Sequence, residues 1–354
     1  MRGGSSVCDI IILMAAKIKL SKDKNILKKL NLVTVAYSNV ERDMFPTKEA
    51  YEAEVEVEER AKDVVKVLID LGVPAKGVPG DQYFLTCLLV DRPNLVLNLV
   101  DTLRGKDELQ SSVPAALELA SVQYTGAGLA GLVIGNDRNL TKRLMVAYDI
   151  PTPNFQFVRR AGTELDSELK YPCIVKLNES GGSVGIDNKA VKETEKEVNK
   201  RVDDLISTYK LPVIVEEFID GPEITVIVFD DGAKRHVAMG EKVFKSKADG
   251  KHEFTSLESY RDLDAYKYKP VDDALYDRIS KLAIKAFHGL HHEDYAKFDV
   301  RVDNETGTPY FTDSNPNTAF GPDMGLPMTE VMAMHGVSFE DMLISLLGKY
   351  AKQL

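Results

Sequence analysis

The stretch Lys297–Asn317, K-F-D-V-R-V-D-N-E-T-G-T-P-Y-F-T-D-S-N-P-N, holds the residues whose types and spacing best suit chemistry. Phe298, Val300 and Val302 alternate with Asp299, Arg301 and Asp303, and Tyr310–Asp313 resumes an extended pattern beyond Asn304 and Gly307. Period-two runs on either side of a glycine-containing turn predict a β-hairpin. With the turn centred near Thr306, Asp299 falls opposite Asp313. Asn315 shares the face of Asp313, because strand side chains repeat every second residue. Like charges directly opposite destabilise a hairpin, and a cation between them reverses that sign. Two carboxylates and an amide oxygen are hard ligands suited to Mg²⁺ held jointly with phosphates. The competing reading is a solvated hairpin with an incidental acidic face.

Three further groups invite a chemical reading. Gly181-Gly182-Ser183-Val184-Gly185 lacks both the G-x-x-x-x-G-K-[ST] and the G-x-G-x-x-G patterns. Its backbone N–H groups and the Ser183 hydroxyl could still close over phosphate oxygens, with Lys176 at the end of the preceding strand. Glu216-Glu217-Phe218-Ile219 ends an apolar strand, where a glutamate could accept from an adenine amino group or a ribose hydroxyl. His288, His291 and His292 lie at the end of an Ala/Ile/Phe-rich helix. Charge complementarity with that helix end is the favoured reading over metal ligation.

The elements that must position these groups follow from periodicity. Asn31–Tyr37 predicts a first buried strand. Thr47 predicts the cap of a helix running to Leu71, stopped by Gly72 and Pro74. Gln82–Val90 and Ser112–Ala120 read as helices, and Asn94–Val100 and Val122–Tyr124 as strands. Alternating strands and helices predict a parallel α/β layer. Ligands of such layers sit at strand C-terminal ends, here the loops Ser38–Met44 and Asp101–Gln110. From Asp137 the pattern changes to a helix over Leu140–Tyr148 and strands over Tyr171–Lys176, Val213–Phe218 and Ile224–Phe229.

The chain has 354 residues, enough for two or three domains. Its net charge of −10 argues against nucleic acid as a partner. Cys8, Cys87 and Cys173 are too few and too scattered for a disulfide framework or a zinc site, which suggests a reducing cytoplasm. The one apolar run near the N-terminus, Ile10–Ala16, is far short of the roughly 20 residues that span a bilayer. No membrane association is expected. Residues 1–30 read as a basic leader or mis-called start upstream of Met14, followed by an extension outside the core as far as Leu30.

The order of the motifs is more specific than any one of them. N-L-T-K-R-L, P-C-I-V-K with G-G-S-V-G, V-E-E-F-I-D-G-P-E-I-T-V and P-Y-F-T-D-S-N-P-N follow one another in a chain that resembles the ATP-grasp superfamily, and within it the D-alanine–D-alanine ligases. The resemblance covers roughly Asn31 to Leu347. It implies an α/β fold class: a Rossmann-like α/β domain (31–136) followed by a two-lobed ATP-grasp fold (137–219 and 220–354). It implies ATP as cofactor, with Lys142 and Lys176 on the α/β-phosphates and Ser183 and its loop over them. Glu216, Glu217, Phe218 and Ile219 would form the adenine hinge, and Glu223 would reach the ribose. Asp299, Asp313 and Asn315 would hold two Mg²⁺. Lys297 would stabilise the oxyanion, and Glu41 would hold the ammonium of the first substrate.

The implied function is ATP-dependent carboxylate–amine ligation of small amino-acid-like substrates through an acyl phosphate, kept dry by a lid over Lys242–Ser259; a homodimer is compatible with it. The chain departs from the family pattern at several places. Ala36-Tyr37 replaces a Gly-Gly, Lys297 replaces an arginine, and Gly182 replaces a serine. Pro316–Pro322 and Gly325-Leu326-Pro327 replace the segment carrying the serine that binds the second substrate's carboxylate. The ATP half is therefore expected to be intact and the acceptor half rewritten. The alternatives are a peptide or amino-acid ligase outside cell-wall synthesis, or a nucleotide-binding regulatory protein without turnover.

Overall fold

A computed structural model describes residues 16–262, 264–322 and 325–354. The first layer comprises β1 (Val33–Ser38), α1 (Lys48–Glu54), α2 (Val57–Asp70), β2 (Ala75–Gly80), α3 (Phe84–Asp91), β3 (Leu95–Leu99), α4 (Ser112–Leu119) and α5 (Leu129–Asn136). Its three strands are parallel in the order β2-β1-β3. Thr47 caps α1 as expected, accepting from the Ala50 N–H. The single predicted helix is broken at Val55–Glu56, however. Its halves pack on different partners: α2 buries Val57, Ala61, Val64 and Leu68 against the sheet, whereas Ala53 of α1 faces the glycine loop at Gly182. The predicted strand Val122–Tyr124 contributes only a single bridge, Val96 to Tyr124.

The second unit comprises α6 (Arg138–Ala147), β4 (Phe155–Val158), β5 (Cys173–Leu177), β6 (Val191–Lys192), α7 (Glu195–Tyr209) and β7 (Val213–Glu217). Its sheet is antiparallel in the order β4-β7-β5-β6. The third unit comprises β8 (Glu223–Asp230), β9 (Arg235–Phe244), α8 (Leu257–Arg261), β10 (Tyr266–Lys269), α9 (Asp273–Gly289), β11 (Tyr295–Val302), β12 (Pro309–Asn315), α10 (Pro327–Met334) and α11 (Phe339–Ala351). Its antiparallel sheet runs β10-β9-β8-β11-β12. The first and third units are not independently cored. Val33, Leu68 and Leu97 share one buried cluster with Phe229, Met332 and Leu346.

The expectation that the chain up to Leu30 lies outside the core is overturned for the described part. Leu20, Leu27 and Leu30 are buried in that shared cluster. The Ile18 N–H donates to the His335 carbonyl at 3.0 Å, and Lys22 pairs with Asp341 at 2.8 Å. The basic character of the segment misled, because its lysines lie outward while its leucines pack on α11. The leader reading of Met1–Ala15, including Met14, falls outside the described residues. Leu27→Ala should cost about 2–5 kcal/mol, the usual loss for a fully buried leucine, read as a lower urea midpoint. An unchanged midpoint would return the segment to the surface. No single helix among the described residues is long and apolar enough to cross a membrane.

Candidate active site

The two antiparallel sheets and the loops of the first layer converge on one cavity. Its facing walls carry Lys176, Glu216 and Glu217 on one side and Lys297, Asp299, Asp313 and Asn315 on the other. Alternation set these positions. Lys176 and Glu216 lie on neighbouring strands β5 and β7, and Lys142 comes from α6, whose start is fixed by the Asp137 side chain accepting from Leu140.

Lys142 and Lys176 both reach the same Glu216 oxygen, at 3.1 and 3.2 Å, and all three side chains are almost fully buried. Burial pushes the Lys142 ammonium down to about 8, with Glu216 opposing and the Lys176 charge assisting. The Glu216 side chain is therefore the counterion of the two lysines, which corrects its expected role as a free acceptor for adenine. Its Oε1 is buried without a partner. Glu217 also borders the cavity, but its carboxylate accepts from Asn154 and from the Lys170 N–H. Two hinge backbone groups are also engaged: the Phe218 N–H on Pro172 and the Ile219 carbonyl on Arg301.

Glu223 is buried between Lys242 (2.8 Å) and Arg301 (3.1 Å) and also accepts from Thr255. Burial alone would raise its carboxyl, but the two cations hold it at about 2. A ribose hydroxyl would thus meet a carboxylate already saturated. Thr255 belongs to the expected lid. Ser256 donates to Asn188 and the Leu257 N–H to Ile186, so the segment after β9 docks on the chain beyond the glycine loop.

The glycine loop lies at the cavity as expected. Gly182 and Ser183 both have positive φ, +58° and +57°. A Cβ at Gly182 would sit 3.2 Å from that of Ala53, so glycine there follows from α1 packing on the loop. The Gly181 N–H, one of the groups suited to phosphate, donates to Asp107 at 2.7 Å.

The hairpin register matches the expected one: Asp299 pairs with Asp313 and Lys297 with Asn315. A bulge follows at Thr312, between Asp299 and Val300. The expected mutual repulsion of the two carboxylates is corrected. Lys297 lies 2.5 Å from Asp299, and Arg138 binds Asp313 at 2.8 and 3.3 Å. Burial would raise Asp313, but Arg138 and then Lys176 hold it at about 2. The Asp299 Oδ1 is buried without a partner, which fits an oxygen ligand left open for a cation, whereas the unpartnered Asn315 Nδ2 is a donor that calls for an acceptor oxygen. Among the described residues no cluster of three His, Cys, Asp or Glu is arranged for a metal. The charge-complementarity reading is corrected for His292: it is buried, bonds Ser314 at 2.7 Å, and burial pushes it down to about 3, so it brings no positive charge to the end of α9.

Glu41 is not brought to the cavity. It is exposed, accepts weakly from Asn39, and lines a separate depression beside Met44 and Leu103. Glu54, Arg60, Asp101 and Asp107 line the site instead, with Arg138. Only the loop Asp101–Gln110 was legible beforehand, from its place after a parallel strand.

Known proteins similar to this chain point to one family. The family profile described as "D-ala D-ala ligase C-terminus" matches residues 144–348. The chain is 28% identical over 292 residues to an uncharacterised protein y4sG of Sinorhizobium fredii, covering 78% of this chain and 84% of that one. It is 26% identical to a D-alanine–D-alanine ligase of Herminiimonas arsenicoxydans, covering 83% and 86%. Among solved structures, D-alanine–D-alanine ligase from Bacillus anthracis complexed with ATP superposes with a TM-score of 0.68 at 16% identity, covering 91% of this chain and 98% of that one. VanG D-Ala:D-Ser ligase from Enterococcus faecalis gives 0.68 at 18%, covering 90% and 99%. These structures share the mixed α/β, ATP-grasp fold. With its profile spanning more than half of the residues, the chain belongs to the D-alanine–D-alanine ligase family.

Proposed function

We propose that this protein is an ATP-dependent carboxylate–amine ligase that joins two amino-acid-like substrates through an acyl phosphate, in the cytoplasm. The carrying observation is that Lys176, joined to buried Lys142 through one Glu216 oxygen, faces an Asp-Asp-Asn hairpin across a single cleft. A carboxylate is a poor acyl donor and must first be phosphorylated, which needs positioning and charge neutralisation more than covalent catalysis. Lys142 and Lys176 are placed to exchange Glu216 for phosphate oxygens. The Ser183 loop is placed to exchange Asp107 for the same anion. Asp299, Asp313 and the amide oxygen of Asn315 would hold Mg²⁺, which supplies charge neutralisation at the transferred phosphoryl group when bound. Lys297, beside Asp299, supplies a fixed cation for the oxyanion formed when the amine attacks. The segment closing over Glu223 keeps out water that would hydrolyse the intermediate.

The retained hairpin carboxylates favour turnover over a purely regulatory nucleotide site. ADP release should require Mg²⁺ and an amino acid, and should identify the substrates when D- and L-amino acids are supplied singly and in pairs. ATP binding with no amino-acid-dependent ADP release from any pair would replace the ligase reading with the regulatory one.

A further inference from the structure

We propose that the nucleotide site of this protein does not read the sugar hydroxyls of ATP, because Lys242, Thr255 and Arg301 already occupy Glu223, the carboxylate placed to accept from them. The proposal rests on ATP binding in the cleft, as the ligase reading requires. β11 and β8 pair so that Asp299 faces Thr225 and Arg301 faces Glu223. Glu223 thus stands two residues, about 7 Å, along the sheet from the level of Asp299, and it lines the same cavity. Arg301 ties it to the hinge, donating to the Ile219 and Gly221 carbonyls at 2.7 and 2.8 Å. A nucleotide with its base at Ile219 and its phosphates near Asp299 passes its sugar by Glu223.

A carboxylate offers about four lone-pair positions, and each of these meets a donor. Lys242 Nζ (2.8 Å) and the Thr255 hydroxyl (2.5 Å) donate to Oε1, while Arg301 Nη1 and the Thr255 N–H, both at 3.1 Å, donate to Oε2. Burial opposes ionisation, but Lys242 and then Arg301 hold the carboxyl at about 2, so it has no proton to donate to a hydroxyl. The two cations are engaged as well. Lys242 also donates to Thr255 at 2.7 Å and lies 4.9 Å from the Tyr266 ring centroid. Arg301 uses Nε, Nη1 and Nη2, and its Cζ lies over the Phe218 ring, 4.5 Å from the centroid. A sugar hydroxyl can enter this network only by displacing a cation or Thr255. Breaking a buried ion pair costs more than a hydroxyl bond returns. A site that makes no hydrogen bond to a hydroxyl does not reject the analogue lacking it. Glu223 instead anchors the segment after β9, through both donors of Thr255.

The test is isothermal titration of ATP, 2′-deoxy-ATP and 3′-deoxy-ATP into the protein, with Mg²⁺ and without amino acids. The wild-type protein should bind all three within about threefold of one another, whereas a carboxylate that reads a hydroxyl favours ATP about ten- to a hundredfold. Thr255→Val keeps the shape and removes the hydroxyl donor from Oε1. It should therefore create a preference for ATP of about tenfold over at least one of the deoxynucleotides. Thr255→Ser retains the hydroxyl and should bind the three alike. A wild-type preference for ATP of about tenfold or more would overturn the proposal. So would a Thr255→Val variant that binds all three nucleotides equally. Tight binding of ATP with a sugar preference sinks this proposal alone, whereas no binding of any of the three removes the ATP-dependent reading and the proposal with it.

Discussion

Asp313→Asn should release ADP at least about a hundredfold more slowly than the wild type, because charge neutralisation at the phosphoryl group is worth several kcal/mol. Its stability should fall as well. Hairpin geometry alone predicts the reverse, since removing one of two facing carboxylates relieves repulsion. The structure changes the sign: Asp313 neutralises Arg138, which is 8% exposed. An amide there leaves the guanidinium with its bonds to the Leu177 and Ser180 carbonyls but no counterion. The loss should be about 1–3 kcal/mol, read from urea denaturation. Asp313 is held at about 2, below its ordinary 3.8. The wild-type protein therefore has this stabilisation in full above about pH 4 and loses it as the pH falls toward 2, a limb the variant should lack. Full turnover in the variant would remove the metal assignment. Unchanged stability would show that the Arg138 pair contributes nothing.

Lys142→Gln should raise the ATP dissociation constant about ten- to a hundredfold at pH 7, since a charge-assisted contact contributes about 1.5–3 kcal/mol. The pH dependence is the sharper readout. Burial holds the free protein's Lys142 at about 8 rather than its ordinary 10.5, so its ammonium is lost as the pH rises through 8. A bound polyanion favours the charged form and raises that value. Wild-type ATP affinity should therefore weaken above pH 8, and binding near pH 8–9 should take up a proton. Titration in two buffers of different ionisation enthalpy measures that uptake directly. Lys142→Gln should show none, whereas an equal uptake in the variant would place the titrating group elsewhere.

Much of the frame was legible because its causes are local. The two-residue period of Phe298–Val302 and the Gly307 turn set the register that faces Asp299 with Asp313. The Thr47 and Asp137 side chains start their helices by bonding backbone three residues on. The edge strand β2, A-K-G-V-P-G, escaped notice because glycine and proline hide its alternation. Pro79 is tolerated there because one side of an edge strand needs no donor.

Side-chain partners were decided by the tertiary structure alone. Arg138 and Asp313 are 175 residues apart, and Lys22 and Asp341 are 319 apart. Glu41 and Glu54 are both acidic residues near the first strand, and nothing in their neighbours says which faces the cavity. The break at Val55–Glu56 turns α1 onto the glycine loop and brings Glu54 in, while Glu41 stays in solvent. Periodicity fixes which face of an element is apolar. Which charge meets which depends on how the elements pack, and packing is a sum of contacts between residues far apart in the chain.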